Sequence, residues 1–311
     1  MLLSLLTEGF SERQERGAAM RAQARQLSER DDAALFHDDL AEVNDAVSFH
    51  EFAQHASGRG LQYLAEADFV EMQIGVVPDA VAQQLLRIDD PIVREQYLDF
   101  VKGRAFRQTL LCREDVEIDR APRPEVLERL AVSSPVTAGD ADSQTGAVTF
   151  EGPSGWRLTC NDPGVIAALE QVGASWPEAV WVRELLGGAG DALCGTLLRA
   201  YAANLVELHV HPPALTATLV QRPVASALAR AQARRRSHVT TLRHRSVRIE
   251  DELGRHLVTL LDGTRNRETL LQGVEEFRRQ GASPPGEDLA EGLEQSLEGL
   301  AQMGLLVAEA G

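Results

Sequence analysis

Between Ser48 and Glu66 the chain spells out a capped helix, a glycine stop and a short strand. Ser48 with Glu51 three residues later has the form of a capping box, in which each end of the pair satisfies a backbone N–H of the other. The helix then buries Phe49, Phe52 and Ala53 or Ala56 and stops at Gly58-Arg59-Gly60, and Leu61–Glu66 follows as a strand. The same grammar returns downstream. Asp89-Asp90-Pro91 opens a second helix, and Phe106–Cys112 reads as its strand. Helices that lead into single short strands cannot build a multistranded parallel sheet, so the expectation is an α+β, helix-rich fold.

The linkers divide this pattern. Residues 1–32, charged and Ala-rich, read as a connector helix, and 33–133 form a small α+β domain in which Leu35, Phe36 and Leu40 recur at helical spacing. Residues 134–146, SPVTAGDADSQTG, are a linker by composition. Residues 147–220 hold a hairpin turning at Gly152–Gly155, helices at about 163–173, 177–186 and 190–203, and a strand at Leu205–Val210. That order predicts a winged-helix-like module. Residues 221–248 carry Arg230, Arg234, Arg235, Arg236, Arg243, Arg245 and Arg248 and read as a basic linker. Residues 249–311 form a second winged-helix-like module. Its helices span about 250–261 and 287–303, an Asp262-Gly263-Thr264 turn follows the first, and Asn266 caps another between them.

Composition narrows the function. Lys+Arg 31 against Asp+Glu 47 gives a net charge of −16, which argues against a general nucleic-acid binder that must neutralise phosphates. Lys102 is the single lysine. Three cysteines, Cys112, Cys160 and Cys194, lie far apart and form no C-x-x-C pair, which suits a reducing cytoplasm. No run approaches the length of a membrane-spanning helix, and the start lacks the basic region of a signal peptide.

The obvious motifs fail on geometry. His50 and His55 are five apart, so they project about 140° apart on a helix, whereas the zinc spacing of four puts two imidazoles about 40° apart. Gly187-Gly188-Ala189-Gly190 precedes a helix but lacks the strand and parallel sheet of a dinucleotide site. His209 and His211 alternate onto one strand face, with no third metal ligand in view, and a solvated wing strand is the better reading. Arg199 is the only cation on the third helix of the 147–220 module, a poor reader of a DNA groove. Catalytic, cofactor-binding and metal residues are therefore assigned to no position.

Two stretches carry a resemblance. LAEVNDAVSFHEFAQHASGRGLQYLAEADF and DDPIVREQYLDFVKGRAFRQTLLCRED closely resemble the methyltransferase regulatory domain of bacterial S-adenosylmethionine-dependent methyltransferases, over about residues 33–116. LVELHVHPP, RPVASALARAQ, VTTLRH and LLDGTRNRETLL are similar to the C-terminal region of the same enzymes, a group that includes outer-membrane-protein lysine methyltransferases. The tail is also similar to a small peptide-binding winged-helix fold built around an L-D-G turn. These enzymes usually carry an N-terminal Rossmann-like donor domain, and this sequence starts about where the connector after it would start.

The resemblance thus implies the regulatory or substrate-recognition part of a protein methyltransferase, not itself catalytic. It implies a donor-binding domain as partner, in trans or in cis, a possible protein substrate, and S-adenosylmethionine held by that partner, with no cofactor on this chain. Two alternatives stay open: a peptide-binding module unrelated to methylation, and an autonomous methyltransferase with an unrecognised donor site. His50, Glu51, Glu66, Asp68, Arg104 and Arg107 are the candidate interaction face, because Phe49, Phe52, Tyr63, Phe69, Phe100 and Phe106 suffice for a small core without them. On that expectation Arg104 and Arg107 take carboxylates in bidentate pairs, and Glu66 and Asp68 share a face if the strand persists to Phe69.

Overall fold

The structure is a computed structural model and describes residues 15–28, 35–152, 155–187, 190–282 and 289–308. The chain divides into two units, residues 1–65 with 74–117, and residues 66–73 with 118–311. Mixed helix with small sheets is the architecture throughout, as the capped-helix grammar predicts.

In the first unit, α1 spans Glu15–Ser28, and a π-helical turn covers Leu35–Asp39. Helix α2, Phe49–Ser57, starts on the full capping box: the Ser48 hydroxyl accepts from Glu51 N–H, and the Ser48 N–H donates to the Glu51 carboxylate at 2.9 Å. That N–H and the Ser48 hydroxyl hold the Glu51 carboxyl below its usual range. The helix ends on Gly58, and Gly60 takes the left-handed turn at φ 71° before β1, Leu61–Glu66. Helix α3, Asp79–Leu85, precedes α4, Pro91–Lys102. Asp90 caps α4 by accepting from Ile92 and Val93, and Gly103 closes it at φ 62°. Strand β2, Thr109–Arg113, pairs with β1 in a two-stranded sheet. The Gln62 side chain fastens the end of β2 by donating to the carbonyls of Arg113, Glu114 and Val116.

The second unit holds two three-stranded sheets. Strands β3, Ala131–Ser133, β4, Thr137–Ala138, β5, Val148–Glu151, and β6, Arg157–Cys160, lead into α5, Pro163–Ala174. Strand β7, Val180–Trp181, runs into the short helix α6, Val182–Leu185, and α7, Gly190–Ala202, is followed by β8, Glu207–His209. The sheet orders are β4-β5-β6 and β7-β3-β8, antiparallel throughout. The expected hairpin is β5–β6, paired from Val148–Cys160 to Glu151–Arg157; Pro153 and Ser154 of its turn lie outside the described residues. The expected helix at 177–186 is only partly helical. Val180 and Trp181 pair instead with Val132 and Ala131, because the buried central strand β3 needs a partner on that edge.

Residues 221–248, expected as a linker, are folded. Helix α8, Ala227–Ala233, and the hairpin of β9, His238–Thr240, with β10, Ser246–Arg248, pack on α9, Glu252–Leu260, α10, Arg267–Phe277, and α11, Leu289–Gln302. Ala229, Ala233 and Val239 enter the same core as Leu257, Leu270 and Leu297. The arginines lie between these small apolar residues and hide the pattern in the sequence.

Two half-buried imidazoles make this unit sensitive to mild acid. Burial pushes His209 and His256 below the ordinary histidine range, and His256 stacks on Phe277 at 4.1 Å. Between the lowered folded values and an unfolded value of about 6.5, the unfolded chain binds more protons. Stability from this source is therefore full above pH 6.5 and falls as pH drops below it. Trp156, Trp176 and Trp181 all lie in this unit, so tryptophan fluorescence reports its melting. The Tm should fall between pH 7.5 and 5.5, and H256Q should reduce the slope. A flat profile over that window would show that both rings protonate freely in the folded state.

Candidate functional site: an aromatic pocket over paired arginines

Glu95 and Asp99 are four apart on α4, so they share a face. Because Gly103 turns left-handed, the chain doubles back and presents Arg104 and Arg107 to that face. Arg104 Nη1 donates to Asp99 Oδ1 at 2.8 Å and lies 3.6 Å from Glu95 Oε2. Arg107 Nε meets both Asp99 oxygens at 3.0 Å, and its Nη2 donates to the Glu95 carboxylate at 3.1 Å and to the Glu95 carbonyl at 3.0 Å. The Arg107 guanidinium also lies 3.8 Å over the Phe49 ring, which meets Tyr63 edge-on at 5.0 Å. These four side chains are only 6–12% exposed. A fourfold cluster of this burial is a rigid floor, since each charge is held by bonds that water does not screen.

Above the floor is a pocket of about 680 Å³. Its walls include Val47, Phe52, Phe100, Phe106, Gln96 and Arg104. Phe100 is 72% exposed and Phe106 77%, which corrects the expectation that both are core. They flank the turn at Gly103, and no described residue covers them. Phe49 and Tyr63 are buried as expected, at 4% and 5%.

Arg104 and Arg107 come together on the carboxylates of Asp99 and Glu95. His50 and Glu51 sit on the first turn of α2; the His50 N–H donates to the Gln96 side chain at 3.0 Å, and the ring meets Gln54 at 2.9 Å. Glu66 and Asp68 belong to the second unit. The strand stops at Glu66, so the condition for a shared face is not met; Glu66 is buried at 4%, and Asp68 caps the 3-10 turn Phe69–Met72. Phe69 leaves the expected core and stacks on Tyr201 at 5.3 Å. Glu95 and Asp99 were missed, although the i, i+4 acid pair ahead of two arginines is visible in the sequence.

The other motifs resolve locally. Strand β8 ends at His209, whose Nε2 lies 2.9 Å from the Ser133 hydroxyl, while His211 lies beyond the strand and is exposed. Gly188 and Ala189 of the glycine stretch lie outside the described residues. Among the described residues no three His, Cys, Asp or Glu gather as a metal site, and no helix is long and apolar enough to cross a membrane.

Residues 31–113 match the family described as "Predicted methyltransferase regulatory domain", and residues 221–289 match "PKMT, C-terminal winged helix domain". An uncharacterized protein of Rickettsia prowazekii (strain Madrid E) is 41% identical over 101 residues; the match covers 32% of this chain and only 18% of that protein. The solved structure of PKMT2 from Rickettsia typhi in complex with AdoHcy is similar with a TM-score of 0.86 at 21% identity, over 99% of this chain and 67% of that one. A second structure of the same protein gives a TM-score of 0.84 at 21% identity, over 99% and 68%. At that identity the likeness establishes the fold. The chain therefore carries a methyltransferase regulatory domain, floored by the Glu95–Asp99–Arg104–Arg107 cluster, and a PKMT-type C-terminal winged-helix domain.

Proposed function

We propose that this chain is the regulatory and substrate-recognition part of an S-adenosylmethionine-dependent protein methyltransferase, and that its first unit docks on the donor-binding domain through the aromatic rim of the pocket. The observation that supports it is where apolar side chains are exposed. Of the 18 large apolar side chains exposed among the described residues, 13 belong to the first unit, Phe100, Phe106, Tyr97 and Val47 among them. Both large core clusters belong to the second. A patch of this kind marks an interaction surface, and aromatic side chains over a rigid polar floor are the usual anchors of one. PKMT2 was solved with AdoHcy, and about a third of that chain lies outside the match, which leaves room for a donor domain there. Cys112, Cys160 and Cys194 are unpaired thiols, which suits a cytoplasmic setting.

The test pairs this chain with the S-adenosylmethionine-binding domain encoded in the same gene or beside it. Association should be measurable at micromolar concentration, and the double variant F100D/F106D should weaken it at least tenfold with the Tm held within a degree or two, since exposed positions tolerate charge. Unchanged affinity in a folded variant would remove the aromatic rim from the interface. Calorimetry with AdoHcy on this chain alone should show no heat; saturable binding would favour a chain with its own donor site.

A further inference from the structure

The second unit has a cavity of about 380 Å³ that the proposed function does not use. Arg243, from the β9–β10 hairpin, is its most constrained wall residue. Its side chain is only 5% exposed, its guanidinium lies 3.8 Å over the Trp176 ring, and its Nη2 donates to Glu207 on β8. Its Nη1 is buried and has no hydrogen-bond acceptor. Arg245 donates to the other oxygen of Glu207 at 2.8 Å, with its own side chain 67% exposed.

One carboxylate thus answers two guanidiniums, so the charged residues of the lining sum to +1, and the lining residue Arg243 also keeps a buried N–H with no acceptor. A buried donor without an acceptor is costly, so the site is short of one negatively charged acceptor. Trp176, Val247 and Met303 give part of the lining an apolar or aromatic surface, and Ser133, Asn204, Thr241 and Gln302 give the rest neutral polar groups. A phosphate brings nearly two charges and no apolar surface, a poor match to a single excess charge and the apolar part of the wall. A carboxylate brings one charge and a planar pair of oxygens that a guanidinium fork accepts.

We propose that this cavity binds a small monocarboxylate with an apolar tail, with Arg243 and Arg245 taking the carboxylate while Trp176 and Met303 pack on the tail. At roughly 30 Å³ for each position a water would fill, the volume holds about a dozen non-hydrogen atoms. The ligand is therefore the size of an acylated amino acid, and a ligand of this size binds with a dissociation constant of about a millimolar.

The full chain is titrated with N-acetyl-leucine, its uncharged amide and inorganic phosphate at fixed ionic strength, with calorimetry and tryptophan fluorescence as readouts. The acid should bind saturably and the amide at least tenfold more weakly. R243Q risks unfolding the hairpin, so the informative variants carry exposed side chains. R245Q should weaken the acid several-fold, and M303D, which puts a second negative charge at the wall, should abolish its binding, both with unchanged Tm. Equal binding of acid and amide, no binding of the acid at about 10 mM, or binding that survives M303D would each overturn the proposal. Phosphate binding as tight as the acid would also overturn it, as a simple anion site without a place for the tail.

Discussion

Replacing Asp99 with alanine should destabilise the first unit by about 3–5 kcal/mol, the range for removing one partner from a buried charge cluster. Asp99 is the carboxylate that Arg104 and Arg107 share, through bonds of 2.8 Å and 3.0 Å. Without it two guanidiniums, 6% and 12% exposed, keep their desolvation cost and lose their common acceptor. Arg104 follows the Gly103 turn directly and lines the pocket, so the pocket floor and the Phe100 and Phe106 rim should loosen together. Urea unfolding measures the loss, and hydrogen exchange over residues 91–113 should show it first. D99N keeps the shape but not the charge and should cost less. A loss under about 1 kcal/mol would mean that the cluster behaves as a solvated surface network and gives the pocket no floor.

The second large effect reverses a familiar sign. Glycine to alanine inside a helix ordinarily gains about 1 kcal/mol. Gly173 lies in α5, whose Val165, Leu169 and Val172 face the larger core. A Cβ there would sit 2.4 Å from the Val136 carbonyl oxygen, a backbone atom that cannot swing aside. G173A should therefore lose about 1–3 kcal/mol through overpacking, as the helix is forced off the β3–β4 segment. The control is G299A. Gly299 is in α11, and nothing lies within 4 Å of its added Cβ, so it should stabilise by about 0.5–1 kcal/mol. Thermal melts of both variants check the pair. Two stabilised proteins would mean that α5 does not approach Val136 so closely.

The sequence by itself determined the elements whose causes lie within a few residues of them. Ser48 with Glu51, Asp90 before Pro91, and Asn266 each cap a helix where the letters place a start, and Gly60, Gly103 and Gly263 take the left-handed turns. Those effects need only a side chain and a backbone group up to three or four positions away, which a reader of the sequence can count. The match of 31–113 to a regulatory domain was legible for the same reason, because its motifs are continuous. Tertiary structure alone decided which charges meet and which aromatics stay out. Arg104 and Arg107 could have answered any acid nearby; the left-handed turn at Gly103 gave them Asp99 and Glu95. Phe100 and Phe106 have the composition of a core, but burial depends on what lies opposite, and opposite them lies an open pocket. Arg243 is one of a run of arginines in the sequence. It becomes a buried partner of Glu207, 36 residues away, because the hairpin that carries it packs against β8, and no local pattern encodes a pairing over that separation.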